Sequence, residues 1–290
     1  SFRLHLSPGG QVWFGLRRVS LGNRSMITNT KSLFVSILKA QQADCVCDIG
    51  SRDGDQSLLF RHLLPAATVI AFEANPINCE MMQANQTLAA HHIEVFPYAI
   101  SNQRGTAMFH ISDVNYSDPE SNRGTSSLLV AEGQKIKQAV GVETHRIDEF
   151  ILSRYPRAGK VGLWIDVEGA EFVVLEGMAA IKDRIVAINV ETANESLRPG
   201  QKPLREVRAL MAGYGFAVCG TSFGPGPVEW GDVVFVPQGI VTEMGFRFSL
   251  CKFKAYASYF LCADQIAVLT KARLPGLYRF LRRLYIRFGT

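Results

Sequence analysis

Two groups of carboxylates sit beside glycine turns in this chain and two more acids end apolar runs, and their spacing asks what they hold. From Cys45 to Phe60 the sequence reads CVCDIGSRDGDQSLLF. An apolar run meets Asp48, and then Gly50, Ser51, Arg52, Asp53, Gly54 and Asp55 precede a second apolar stretch. That pattern reads as a buried strand, a tight loop and a helix start. Glycines let backbone approach a ligand, and a helix N-terminus offers unpaired N–H groups. Glu73 closes the run TVIAFE (68–73), 25 positions after Asp48. Asp166, Glu168 and Glu171 lie in WIDVEGAEFVVLEGM (164–178), and Glu191 ends IVAINVE (185–191).

In an open parallel sheet, ligands bind outside the carboxyl ends of the strands, and an acid ending the second strand can accept both hydroxyls of a ribose. A dinucleotide is a poor match for the rest. GxGxxG would need glycines at 50, 52 and 55, which are Gly50, Arg52 and Asp55. A P-loop Lys-Ser/Thr is absent, and a pyrophosphate would meet Asp48, Asp53 and Asp55 with Arg52 as its one nearby cation. A nicotinamide-dependent dehydrogenase is therefore disfavoured. A nucleoside carrying positive charge suits the loop, and S-adenosylmethionine, with cationic sulfonium and amino groups, is such a molecule.

The elements that must position these acids follow from the apolar runs. Cys45–Ile49, Thr68–Glu73 and Ile93–Ile100 read as three strands, the third with a proline inside. Gln56–Leu64 and Pro76–Ala90 read as helices beside them. Val161–Val167 and Ile185–Glu191 read as two more strands around a helix at Ala170–Lys182. The alternation predicts α/β architecture with a parallel sheet. Residues 101–148 are long for a crossover and hold strand-like 106–111 and 140–147, which predicts an inserted hairpin with a polar loop at 112–127. A helix at 204–213 precedes strands at 215–221 and 232–237, joined through GPGP (224–227) and expected to form an antiparallel pair at the sheet edge. The expected organisation is an N-terminal extension (1–30), a core domain (31–237) and a basic helical extension (238–290).

These motifs carry a family resemblance. DIGSRDGDQS, FEANP (72–76) and above all WIDVEGAEFVVLEGM resemble the FkbM family of S-adenosylmethionine-dependent methyltransferases, as do TSSLL (125–129) and VETHRIDEF (142–150). The resemblance covers about residues 30 to 237. It implies a Rossmann-like class I methyltransferase fold, with a mostly parallel seven-stranded sheet, an antiparallel last strand and helices on both faces. It also implies that Asp48, Gly50, Ser51 and Gly54 line the methionine end of the cofactor. Glu73 would hold the ribose beside Ala74 and Asn75, Ala99, Ile100 and Ser101 would border the adenine, and Asp166 would face the methyl group or the acceptor. The chain departs from the family pattern at Ser51-Arg52-Asp53, at Ala74 and at Trp164. Arg52 stands where it can alter cofactor affinity or contact the substrate.

Methyl transfer to a hydroxyl needs alignment and a base. Asp166, Glu168, Glu191 and His145 are the candidates, with Asp166 first; Glu171 is as well suited to capping its helix. Asp166, Glu168 and Glu191 could gather on one rim as oxygen ligands for Mg²⁺, which is possible, but no metal signature supports it and no metal ligand is assigned. Asn115, Tyr116, Asn122, Arg123, Asn194 and Arg198 give the expected acceptor walls a hydrogen-bonding character that suits a sugar, a glycan or another polyhydroxyl compound. O-methylation is the leading expectation. N-methylation and a catalytically silent binding protein stay open beside it.

Bulk properties bound the setting. The 290 residues are 47% apolar and 20% charged, an ordinary globular composition. Six cysteines lack disulfide or zinc spacing, so a reducing cytosolic home is expected. The chain starts without Met and without a signal-like apolar core, so a trimmed leader stays open. Net charge is +5, yet residues 238–290 hold nine Lys/Arg against two acids. Within that tail Leu277, Phe280, Leu281, Leu284 and Phe288 alternate with Arg279, Arg282, Arg283 and Arg287 at helical spacing. Such a helix would dock on the body or a second subunit, or lie peripherally on an anionic membrane. Nucleic acid is not an expected partner.

Overall fold

The computed structural model describes residues 29–114, 124–223 and 230–240. Its centre is strand β1 (Cys45–Ile49), buried along its whole length. Strand β2 (Thr68–Phe72) pairs parallel on one side of it and strand β7 (Val161–Ile165) on the other. Outward from these lie β3 (Glu94–Phe96) and β8 (Ile185–Ala193), both parallel. Strand β10 (Trp230–Pro237) inserts antiparallel between β8 and the edge strand β9 (Phe216–Thr221). The seven-stranded order is β3-β2-β1-β7-β8-β10-β9. The antiparallel member is thus the last strand among the described residues, one place in from the edge.

Strand alternation sends side chains to two apolar layers. Cys45, Cys47 and Ile49 join Leu163 and Ile165 on one face, packed by α5 (Ile147–Arg154), α6 (Glu171–Glu176) and α7 (Leu204–Gly213). Val46 and Trp164 face α1 (Thr30–Gln41) and α2 (Asp55–Leu63) on the other, and α3 (Pro76–Gln83) and α4 (Gln86–Ala90) extend that layer over β2. Helices therefore cover both faces, as a parallel sheet requires. Cys45, Cys47, Cys79 and Cys219 are free thiols, and all four are buried.

A second, three-stranded sheet stands beside this one: β5 (Gly105–Ser112) runs antiparallel to β6 (Ile136–His145), and β4 (Ala99–Ile100) pairs parallel to β6. It corrects the reading of Ile93–Ile100 as one strand. Pro97 cannot donate to a ladder, so the run splits between two sheets. Two helices are also shorter than their apolar patterns. Pro76–Ala90 breaks where Asn85 stops α3 and accepts from the Thr87 N–H (2.9 Å) to start α4. Ala170–Lys182 breaks at Gly177, where a Cβ would lie 2.2 Å from the Ser101 carbonyl oxygen, and continues as a 3₁₀ turn at Ala179–Arg184. The expected extensions, the GPGP loop, and Asn115, Tyr116, Asn122 and Arg123 lie outside the described residues.

Candidate functional site

Strands β1, β2, β7 and β8 run the same way, so their carboxyl ends share one rim. Chain direction reverses its spread between β1 and β7, which makes that gap the topological switch point. Gly50 and Asp166 follow the paired residues Ile49 and Ile165 there, and the Asp166 N–H donates to the Ile49 carbonyl (2.9 Å). Gly50 has φ +85°, and a Cβ on it would lie 1.8 Å from the Asp166 carbonyl oxygen. Only glycine brings the two strand ends this close. Arg52 follows at φ 58°, a left-handed conformation unusual outside glycine, with its side chain paired to Asp53 (2.8 Å).

The turn opens into a cleft of about 480 Å³ lined by Asp48, Gly50, Ser51, Arg52, Glu73, Ala74, Ala99, Ile100 and Asp166, among others. Asp48 is buried, and its carboxylate accepts from Ser51 (2.7 Å) and Ser57 (2.5 Å). Burial pushes its pKa to about 6 against the pull of those hydroxyls. Glu73 is also buried. One oxygen accepts from the Arg52 N–H and the other from the Asn75 N–H, both at 2.7 Å. Burial still carries it to about 7. Each oxygen keeps a lone pair for a ligand hydroxyl.

Across the switch point the acids concentrate. Ligand oxygens of Asp166, Glu168 and Glu191 lie within 4.8 Å of one another. Asp166 is open to the cleft but sits deep in its concave floor, so protein surrounds a carboxylate that solvent still reaches. Desolvation, then repulsion by Glu168, Asp232 and Asp48, raises it to about 7. Glu191, desolvated and repelled by Asp166 and Glu168, rises to about 8. Charges this close titrate as a set. Glu168 is raised by burial and eased by Arg198, which meets it at 2.7 Å. It takes φ 58°, and its carbonyl accepts from the Ser127 hydroxyl (2.9 Å). Glu168 also lines a second cavity of about 470 Å³, with Glu191, Thr192, Arg198, Gln201 and Trp230.

Not every residue singled out from sequence reaches the cleft. Gly54 starts α2 at φ +85° and packs on Leu88 instead. Asn75 caps α3 by accepting from the Ile77 N–H (3.1 Å). Ser101 is held by its N–H to the His145 carbonyl (2.8 Å), against Gly177. His145 bonds Glu143 (2.9 Å) and lies 4.1 Å from the Tyr98 ring, and it lines neither cavity. Glu171 is buried and accepts from the Gly169 N–H (2.7 Å), folding the loop before its own helix. Lys31, Gln56, Tyr98, Ser126 and Leu128 line the cleft and were not singled out. Tyr98 had a signal, since it stands two residues beyond the end of β3. Lys31 had none, because its helix precedes every motif.

The strand order, with its antiparallel last strand and a carboxylate-lined glycine turn at the switch point, defines a Rossmann-like protein of the class I methyltransferase type. Residues 48–218 match the model of the methyltransferase FkbM domain. The chain belongs to that family and is a methyltransferase. Among curated proteins, "2-O-methyltransferase NoeI" of Sinorhizobium fredii is 28% identical over 178 residues, 58% of this chain and 71% of that one. Similar solved structures include precorrin-6y C5,15-methyltransferase of Geobacter metallireducens (12% identity, TM-score 0.38, covering 75% of this chain and 93% of that one). Another is the methyltransferase domain of bacterial CtHen1 (12%, TM-score 0.39, 72% and 97%). The fold assignment rests on the strand order rather than on those two likenesses.

Proposed function

We propose that the chain transfers a methyl group from S-adenosylmethionine to a hydroxyl of a polyhydroxylated acceptor, a sugar or a glycan. The cleft fits the cofactor in three respects. Gly50, with no Cβ to strike the Asp166 carbonyl, lets the two strand ends close into the turn that borders the cleft. Glu73 retains acceptor capacity for a ribose diol. Asp48 and Asp166 supply the negative charge that a sulfonium and an ammonium need. When bound, the cofactor supplies a methyl group on a positively charged sulfur.

The observation that carries the reading is the junction of the two cavities. Glu168 lines both, and the Asp166 and Glu191 carboxylates approach each other from either side. An acceptor hydroxyl held in the second cavity would lie against that pair. Its proton passes to the pair as its oxygen bonds the methyl carbon and the sulfur–methyl bond breaks, leaving S-adenosylhomocysteine. Carboxylates raised to about 7 and about 8 are matched to such a task near neutral pH. Trp230, 56% exposed beside Glu191, Thr192 and Gln201, offers an apolar face next to hydrogen-bonding groups, a combination suited to a sugar ring. The Sinorhizobium relative's name, 2-O-methyltransferase, supports transfer to oxygen. Isotope-labelled S-adenosylmethionine incubated with a panel of sugars and amino-sugars tests the reading. Labelled O-methyl product is expected, falling roughly 10²–10⁴-fold in Asp166→Asn. N-methyl product, or undiminished transfer by the variant, would overturn it.

A further inference from the structure

Helices α1 and α2 bring a cation and an amide to one end of the cleft. Phe34 of α1, Phe60 of α2 and Trp164 of β7 form a ring triangle with centroids 5.6–5.7 Å apart. Lys31 lies three residues before Phe34 and Gln56 four before Phe60, so each sits one turn nearer its helix N-terminus on the same face. Both N-termini point to the rim of strand carboxyl ends, because α1 descends into β1 and α2 rises out of the turn after it. Both side chains line the cleft.

Among the described residues neither the Lys31 ammonium nor the Gln56 Nε2 has an ion-pair or hydrogen-bond partner. Lys31 Nζ lies 5.6 Å from the Trp164 ring, and among the described residues Lys31 has no carboxylate at ion-pair distance. Arg52, the other basic residue lining the cleft, is paired with Asp53 (2.8 Å). Gln56 Nε2 is buried with no hydrogen-bond partner. Such a donor is costly to leave unmet. Trp164 is also the cross-strand neighbour of Asp48. An anion and a cation thus flank one indole without pairing, a layout complementary to a zwitterion.

We infer that Lys31 and Gln56 hold the α-carboxylate of the cofactor's methionine end, while Asp48 faces its amino group. The inference rests on the proposed cofactor. A deep carboxylate beside Asp48, Asp53 and Asp55 needs a compensating cation, and Lys31 is placed to be it.

Calorimetric titration of the full chain with S-adenosylmethionine and with its decarboxylated analogue tests this. Lys31→Gln should weaken S-adenosylmethionine about 10- to 100-fold and leave the analogue within a few-fold of wild type. Lys31→Arg should restore most of the loss, and Gln56→Leu should show the same selectivity with a smaller effect. Equal losses for both ligands would mean that the lysine only packs on Trp164, and undiminished binding of S-adenosylmethionine would remove its role; either overturns the inference. If wild type binds neither ligand, the cofactor reading itself fails, an outcome separate from selective retention by the variants.

Discussion

Replacing Glu191 by Gln removes one charge from the crowded rim while keeping its shape. Two unit charges at 4.8 Å, the upper limit of separation among these carboxylate oxygens, repel by about 3.5 kcal/mol at an effective dielectric of ~20 and by ~0.9 kcal/mol in water. Asp166 is open to the cleft, so a value between these limits, about 1–3 kcal/mol, is appropriate. The sign follows from the raised carboxyls. Asp166 moves from 3.8 to about 7 and Glu191 from 4.5 to about 8, so the folded state binds protons more tightly than the unfolded chain. That stability is fully present below about pH 4 and is lost as pH rises through 7 and 8. Glu191→Gln should therefore be near neutral at pH 5 and stabilising at pH 8.5. With ~2–4 °C per kcal/mol for a domain of this size, Tm should rise roughly 2–12 °C at pH 8.5. Thermal unfolding of both proteins at the two pH values measures it. The same shift at both would show that repulsion is not the cause. A loss at pH 8.5 would show that Glu191 makes a stabilising contact and would refute the reasoning.

Three other outcomes follow from the site. Glu73→Ala strips acceptors from two backbone N–H groups and from the ribose, so S-adenosylhomocysteine should bind about 10- to 100-fold more weakly by calorimetry. Gly50→Ala forces a Cβ to 1.8 Å from the Asp166 carbonyl oxygen at φ +85°; stability should fall by about 2 kcal/mol or more in urea unfolding, and cofactor affinity should fall with it. Trp230→Ala should raise the acceptor KM and leave S-adenosylhomocysteine affinity unchanged, because the tryptophan lines only the second cavity.

What sequence could say about this chain depended on how local the cause was. β1 and α7 are bounded by clear changes of pattern and were legible to the residue or nearly so. Glu73 and Asp166 were legible because a strand end fixes where the next side chain goes. The split at Pro97 was visible, but its consequence, a strand leaving for a second sheet, depends on β6 arriving some 45 residues later. His145 looked like a base because histidine commonly is one; Glu143, two residues before it on β6, bonds it locally, and Tyr98 is brought against it by packing. Lys31 was invisible for the same reason. Its place over Trp164 is made by three rings meeting from α1, α2 and β7.

The central claim is that a glycine turn lined with carboxylates holds a cationic nucleoside and supplies its methyl to an acceptor. Calorimetric titration of the purified protein with S-adenosylhomocysteine, with NAD as the control, tests its first half most directly. Micromolar binding of S-adenosylhomocysteine and none of NAD is the predicted result. A folded protein that binds NAD, or that binds neither, would contradict it; binding of neither would mark Ser51-Arg52-Asp53 as the segment that has closed the site.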